Sequence, residues 1–319
     1  MRIDDPLARI GHISLADTGV TAILAPHEAG MVAAVDVRGG GPGTRETDLL
    51  EPHNTVERVH AIMLCGGSAF GLAAADGAMA ELERRGWGFP VFGEDMPGPR
   101  VPIVPAAVIF DLVVGDPAHR PTAADGAAAI TAAFDGGTGA TGSVGAGCGA
   151  TAGVLRGGFG QATVSTMSTD GYTVEAYVVA NPVGMVVDKH TGLLYGDGAK
   201  PAVDLERFNA LERPTPKLNT TIGVIATNAP LTKPQLKRVA MTGHDGIARA
   251  IRPAHSPLDG DTLFAVSTAQ PGAQPVSDVE AFGRIGEAGA QAVQAAIVDA
   301  VVNATGDFGI TAWRDIARA

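Results

Sequence analysis

Residues 219–227 read Asn219-Thr220-Thr221-Ile222-Gly223-Val224-Ile225-Ala226-Thr227, directly after a segment, 196–219, that reads GDGAKPAVDLERFNALERPTPKLN. The contrast between the two decides how the chain is read. The upstream segment is polar and proline-bearing, the composition of a linker. The downstream run is apolar, β-branched and uncharged, the pattern of a buried strand. A strand that opens on a threonine, behind a segment that can be severed without loss of the fold, suits one particular chemistry. A threonine hydroxyl is a weak nucleophile unless a base lies beside it. Cleavage of the Asn219–Thr220 bond would free an α-amine with a pKa of about 7.7–8.0, and that amine supplies the base within the same residue. The pattern taken alone is more often that of a linker followed by an ordinary strand.

Downstream, Thr232 and Pro234 open a helix that runs to about Ile251. Asp259-Gly260-Asp261 begins a second strand that extends to Val266, and an Ala/Val-rich helix covers 279–304. Asp259 and Asp261, two residues apart at a strand start, can point to the same side of the chain. There they either hold an N-terminal ammonium and share its proton traffic, or form an Asp-Gly-Asp turn.

Upstream, Ile23–Val37 reads as strand, loop, strand, and Val59–Leu64 as a strand running into CGGSAFG. Leu72–Arg85 and Ala123–Phe134 have helical spacing, and Val101–Val114 reads as one or two buried strands. Residues 136–160 hold eleven glycines in twenty-five positions. Backbone N–H groups around Gly145, Gly147 and Gly149 either form a nest for an oxyanion or belong to a close-packed turn. Gln161–Val179 alternates as two strands with a turn at Asp170-Gly171. Asn181 then offers an amide donor to the same oxyanion, or makes an Asn-Pro turn. The order of elements indicates helices packed on sheets, an α+β or α/β class.

Composition removes other functions. The 319 residues carry 23 Lys+Arg against 34 Asp+Glu, a net charge of −11 with no basic stripe, which argues against nucleic-acid binding. Two cysteines, Cys65 and Cys148, supply neither a disulfide framework nor a four-ligand zinc site. The first residues, MRIDDPLARIGHI, lack the apolar core of a signal peptide, and the expected location is cytoplasmic. The best apolar run, Val101–Gly115, contains two prolines and Asp111 and falls short of the roughly 18–20 residues that span a bilayer. GGSAFG has Phe70 where a nucleophile elbow needs glycine. GAGCGA at 145–150 is followed by strand-like sequence, not the helix of a dinucleotide site. The eight histidines show no metal-binding spacing, and no metal or cofactor is implied.

In combination, NTTIGVIATNAPLTKPQLKRVAMTGHDGIARAI, DGDTLFAVST, GGSAFGL, GSVGAGCGATAG and VANPVG resemble the self-processing aminopeptidase/nylon-hydrolase family over roughly residues 5–305. The resemblance implies an N-terminal-nucleophile-like, four-layer αββα sandwich. One domain would be cut into an α subunit, 1–219, and a β subunit, 220–319, that stay together, usually within a tetramer. It implies cleavage between Asn219 and Thr220, Thr220 as nucleophile, Asp259 and Asp261 as the acidic pair, and Asn181 as the oxyanion asparagine. The threonine and the Asp-Gly-Asp form resemble the 6-aminohexanoate-oligomer endohydrolase branch, whereas the β-peptide aminopeptidase branch uses serine. Phe110, Val154 and Arg156 stand where that branch's pocket tyrosine and lysine would be sought. The implied substrate is a linear amide, either a 6-aminohexanoate oligomer or a small peptide with a free N-terminus. Self-processing ornithine acetyltransferases share the nucleophile logic and mark an acyl-transfer alternative. A scaffold that kept the fold and lost the chemistry is a third.

Overall fold

The computed structural model describes residues 7–93, 95–137, 139–166, 170–215 and 218–318. Residues 1–6, 138, 167–169 and 216–217, which belong to the N-terminus, the glycine-rich segment, the expected strand pair and the expected linker, lie outside these. The principal elements are β1 (Arg9–Ser14), β2 (Gly19–Leu24), β3 (Met31–Val37), β4 (Ala61–Cys65), α1 (Ala74–Arg84), β5 (Ala106–Val108) and α2 (Ala123–Phe134). They continue with β6 (Gly158–Ser165), β7 (Thr173–Ala180), β8 (Ile222–Thr227), α3 (Lys233–Ala250), β9 (Thr262–Ser267) and α4 (Val279–Asn303).

Two mixed sheets result. The first runs β1-β2-β4-β5 and ends on the short strand Thr44–Arg45. The second runs β6-β7-β8-β9-β3 and ends on Arg58–Val59. Strands β8 and β9 are parallel, as a strand–helix–strand unit through α3 requires, and their register pairs Ile222 with Thr262. Both strands are buried along their whole length, which explains their unbroken apolar sequence.

Period-two alternation sorts the side chains of the second sheet into two cores. Ile222, Val224, Phe264, Val266, Tyr177 and Val179 face Ile23, Ile62 and Leu64 of the first sheet. On the other face Val178, Ile225 and Leu263 pack with Val239, Ile247, Val293 and Ile297 of α3 and α4. A third cluster joins the far face of the first sheet to Ala78 and Leu82 of α1 and Ile130 of α2. Helices α1 and α2 cross with almost no gap: a Cβ on Gly77 would overlap the Ala123 carbonyl oxygen. Here the abundance of glycine has a packing cause.

Helix α3 starts as its sequence demands, with a Thr232–Gln235 capping box and a proline in the first turn. Helix α4 has the length and hydropathy of a membrane span by composition, yet two-thirds of its most apolar window is buried inside the protein. Three expectations change. Val101–Val114 forms strand only at Arg100–Val101 and Ala106–Val108, because Pro102 and Pro105 cannot donate to a ladder. Regular α1 begins at Ala74, after a 3₁₀ segment over Ser68–Ala73. The expected linker is docked: Val203 and Phe208 are buried, Val203 bridges to Ala317, and Leu205–Asn209 is a short helix capped by Asp204.

Candidate active site

Thr220 lies two residues ahead of β8, at the end where the two inner strands of the second sheet begin, and is 4% exposed. Its Oγ sits 2.5 Å from the carbonyl oxygen of Asn219, to which it donates. The backbone N–H of Gly260 approaches the same oxygen at 3.2 Å. Asn219 and Asp259 form an isolated parallel bridge, so the bond between Asn219 and Thr220 is held on the start of β9. Gly260 is required by the close approach: a Cβ there would fall 2.9 Å from Thr220 Oγ and 2.7 Å from the Gly41 carbonyl oxygen.

Both acidic residues are 1% exposed. Asp259 accepts from the Val183 amide at 2.8 Å through one oxygen, and from the Ser256 hydroxyl at 2.5 Å and amide at 3.1 Å through the other. Asp261 accepts from the Thr221 amide at 2.8 Å through one oxygen. Its other oxygen receives the backbone N–H of His255 at 3.1 Å and is 2.8 Å from His255 Nδ1. Burial pushes the Asp259 carboxyl above its ordinary range and the negative charge of Asp261 adds to it, against the Ser256 hydrogen bond. The pair thus flanks the Thr220 peptide, but its direct grip is on Thr221.

The Thr220 N–H donates instead to the backbone carbonyl of Asn181, at 2.7 Å. The Asn181 side chain is otherwise engaged. Its oxygen accepts from the Thr151 amide at 2.8 Å and the Asn219 side-chain amide at 3.3 Å, and its nitrogen donates to the Phe110 carbonyl at 3.0 Å. Asn219 Nδ2 also meets Thr151 Oγ at 3.1 Å and the Thr151 carbonyl at 3.3 Å. Gly145, Gly147 and Gly149 lie in a buried turn ahead of Thr151, and the first two amides are already engaged. Gly145 donates to Ser14 Oγ at 2.9 Å and Gly147 to the Val144 carbonyl at 2.8 Å. The backbone donor that reaches the Asn219 oxygen is Gly260.

The neighbouring positions are also defined. Arg156, paired across a short hairpin with Thr151, is fully buried, bonds the Cys148 carbonyl and lies 3.0 Å from the Asp307 carboxylate. Arg213, from the docked segment, bonds the Val183 carbonyl, and burial lowers its pKa against the opposing charge of Asp259. Sequence reading missed Thr151, His255 and the amide of Gly260. Gly260 had a signal, as the residue between the paired acids; Thr151 and His255 acquire their contacts only through the fold.

The arrangement brings the Thr220 hydroxyl and the Gly260 N–H to one carbonyl oxygen, with two buried carboxylates holding the backbone on either side. In such a geometry a hydroxyl can act as a nucleophile and an N–H as an oxyanion donor. The model of peptidase family S58 matches residues 5–312. An uncharacterised aminopeptidase of Mycobacterium tuberculosis is 44% identical over 97% of this chain and 95% of its own length. A 6-aminohexanoate-oligomer endohydrolase of a Kocuria species is 33% identical over 84% of this chain and 75% of its own. Among solved structures, a β-aminopeptidase of a Burkholderia species superposes with a TM-score of 0.71 at 24% identity, covering 96% of this chain and 88% of that one. The L-aminopeptidase D-Ala-esterase/amidase of Ochrobactrum anthropi, described as a variant of the Ntn hydrolase fold, gives 0.69 at 22% identity over 94% and 86%.

Proposed function

The chain belongs to peptidase family S58 and is a hydrolase acting on amide bonds, and from that premise we propose that it activates itself by cleavage between Asn219 and Thr220. The observation that carries this reading is the shared oxygen: Thr220 Oγ and the Gly260 N–H both approach the Asn219 carbonyl. In the precursor, Thr220 Oγ attacks the Asn219 carbonyl carbon while Gly260 stabilises the oxyanion. The C–N bond breaks as the nitrogen takes up the proton that the hydroxyl gives up, leaving Asn219 esterified to Oγ. Water then hydrolyses the ester, giving a carboxylate on 1–219 and a free amine on 220–319.

In the mature enzyme the Thr220 amine takes the hydroxyl proton as Oγ attacks a substrate amide. The amine product leaves, and water hydrolyses the acyl-enzyme. The Asn181 carbonyl, which accepts the Thr220 N–H in the intact chain, would hold that amine. Asp261 fixes the adjacent Thr221 amide, and Asp259 secures the Asn181–Val183 loop through Val183. We read the three cores as the interfaces of a four-layer αββα sandwich, with both fragments intertwined in one domain. The family resemblance further points to a homotetramer.

The substrate is a linear amide, and 6-aminohexanoate oligomers are the reading that Thr220 and the Asp-Gly-Asp pair support. One observation favours an aminopeptidase preference within it. Asn219 Nδ2 is met by three acceptors, Thr151 O, Thr151 Oγ and Asn181 Oδ1. Once the 1–219 tail withdraws, those acceptors suit an amine on the acyl part of the substrate. The test compares a 6-aminohexanoate trimer, its N-acetylated form and a small peptide amide. Hydrolysis by the processed chain, lost in Thr220→Ala and reduced by N-acetylation, is expected. Equal turnover by Thr220→Ala would overturn the assignment.

A further inference from the structure

His255 is held in the left-handed region at φ 56°, a conformation that a side-chain-bearing residue keeps only where its surroundings fix it. Here its backbone nitrogen and one ring nitrogen converge on one atom. The backbone N–H and the ring Nδ1 lie 3.1 and 2.8 Å from the same oxygen of Asp261, whose other oxygen takes the Thr221 amide. The ring is braced from α3 by His244, edge-on with centroids 4.9 Å apart. His244 Nε2 is in turn 3.1 Å from the Asp36 carbonyl on β3. On the shared Asp261 oxygen the His255 ring makes the shorter of the two contacts, so it sets the direction of the carboxylate beyond what the backbone N–H holds alone.

We propose that His255 is a positioning residue: through Asp261 it fixes the Thr221 amide, and with it the register of the Thr220 hydroxyl against the Asn219 carbonyl. The link to self-cleavage rests on the function proposed above, whereas the link from His255 to Thr221 does not. No bond to the reacting atoms is involved, so the role is orientation and not proton transfer to substrate.

Two substitutions separate this role from a turn requirement, because Gly and Asn both adopt the left-handed conformation. His255→Gly removes the ring and keeps the backbone; His255→Asn restores a side-chain N–H near Nδ1. Self-cleavage of the full chain is expected to slow at least about tenfold in His255→Gly and to recover largely in His255→Asn, with thermal unfolding unchanged in both. Independently, in ¹⁵N-threonine-labelled full chain carrying Thr220→Ala, the Thr221 amide resonance is expected to move in His255→Gly and return in His255→Asn. A wild-type cleavage rate and an unmoved Thr221 resonance in His255→Gly would overturn the proposal and leave the self-cleavage reading standing. A moving Thr221 resonance in a chain that never cleaves would uphold the His255 role and remove the self-cleavage reading. Equal slowing in both variants would also overturn it.

Discussion

The amide of Gly260 donates to the carbonyl oxygen of Asn219 across 3.2 Å, which ties the start of β9 to the bond that precedes β8. Under the self-cleavage proposed above, that relationship would make the Asp-Gly-Asp turn part of the reaction centre. The two flanking acids hold the neighbouring backbone, and the glycine between them supplies the donor and the space. If that carbonyl is attacked as proposed, a group that needs no rearrangement already polarises it as charge develops.

Gly260→Ala is expected to slow self-cleavage by about a hundredfold, because the added methyl displaces Thr220 Oγ while the N–H remains. The time course of fragment formation reads this directly. A rate within about twofold of wild type would mean that the close contact with Thr220 has no bearing on the chemistry.

Asn219→Ala removes the amide that Thr151 and Asn181 enclose. Asn181 Oδ1 keeps the Thr151 amide, but the Thr151 carbonyl and hydroxyl lose this donor. A buried acceptor left unpaired costs about 1–3 kcal/mol, which in alignment corresponds to about 5- to 160-fold in rate. Self-cleavage is therefore expected to slow in this variant, while Asn219→Gln, which keeps the amide but lengthens its reach, falls between. Undiminished cleavage in Asn219→Ala would show that the cradle serves only packing.

The placement of the candidate site was legible where its logic is local. Thr220 stands out because the apolar run of β8 follows a polar stretch, and Asp259 and Asp261 because alternate residues of an extended chain share a side. Thr151 and His255 were not legible. Thr151 reaches Asn219 across 68 residues of sequence, and His255 owes its contacts to a left-handed turn that nothing in its neighbours announces. The docked segment 196–215 reads as a linker for a related reason: its average polarity hides Val203 and Phe208, the two side chains that anchor it. That helices pack on sheets was legible from element order, since period-two strands and capped helices agree in this chain.

Asp111 is 2% exposed, with one oxygen on the Gly67 amide and the other on the Thr18 hydroxyl. Burial pushes its carboxyl up to about 6. The folded chain therefore keeps a proton that the unfolded chain releases at lower pH. The stabilisation from this group is complete below about pH 4 and is lost as pH rises through about 6, a swing of about 3 kcal/mol. Asp111→Asn, whose carboxamide stays neutral, should lack that component. Urea unfolding of both proteins from about pH 4 to 7 checks it, and parallel stability curves would contradict it.

Gly77→Ala and Gly283→Ala should act in opposite directions. At Gly77 the new Cβ overlaps the Ala123 carbonyl oxygen, and forcing α1 from α2 is expected to cost about 1–3 kcal/mol or more. At Gly283, in α4, a Cβ meets nothing within 4 Å, so alanine is expected to stabilise by up to about 1 kcal/mol. Urea midpoints measured side by side give both signs, and a neutral Gly77→Ala would contradict the close helix crossing.

The central claim is that the Asn219–Thr220 bond cuts itself, and intact-mass analysis of purified, folded protein over time, with N-terminal sequencing of the smaller product, tests it most directly. Division of the 32.3 kDa chain at that bond by length gives pieces of roughly 22 and 10 kDa. The account predicts both, with the smaller one beginning Thr220-Thr221-Ile222, and neither in Thr220→Ala. A single full-length mass that persists in aged wild-type protein would contradict it.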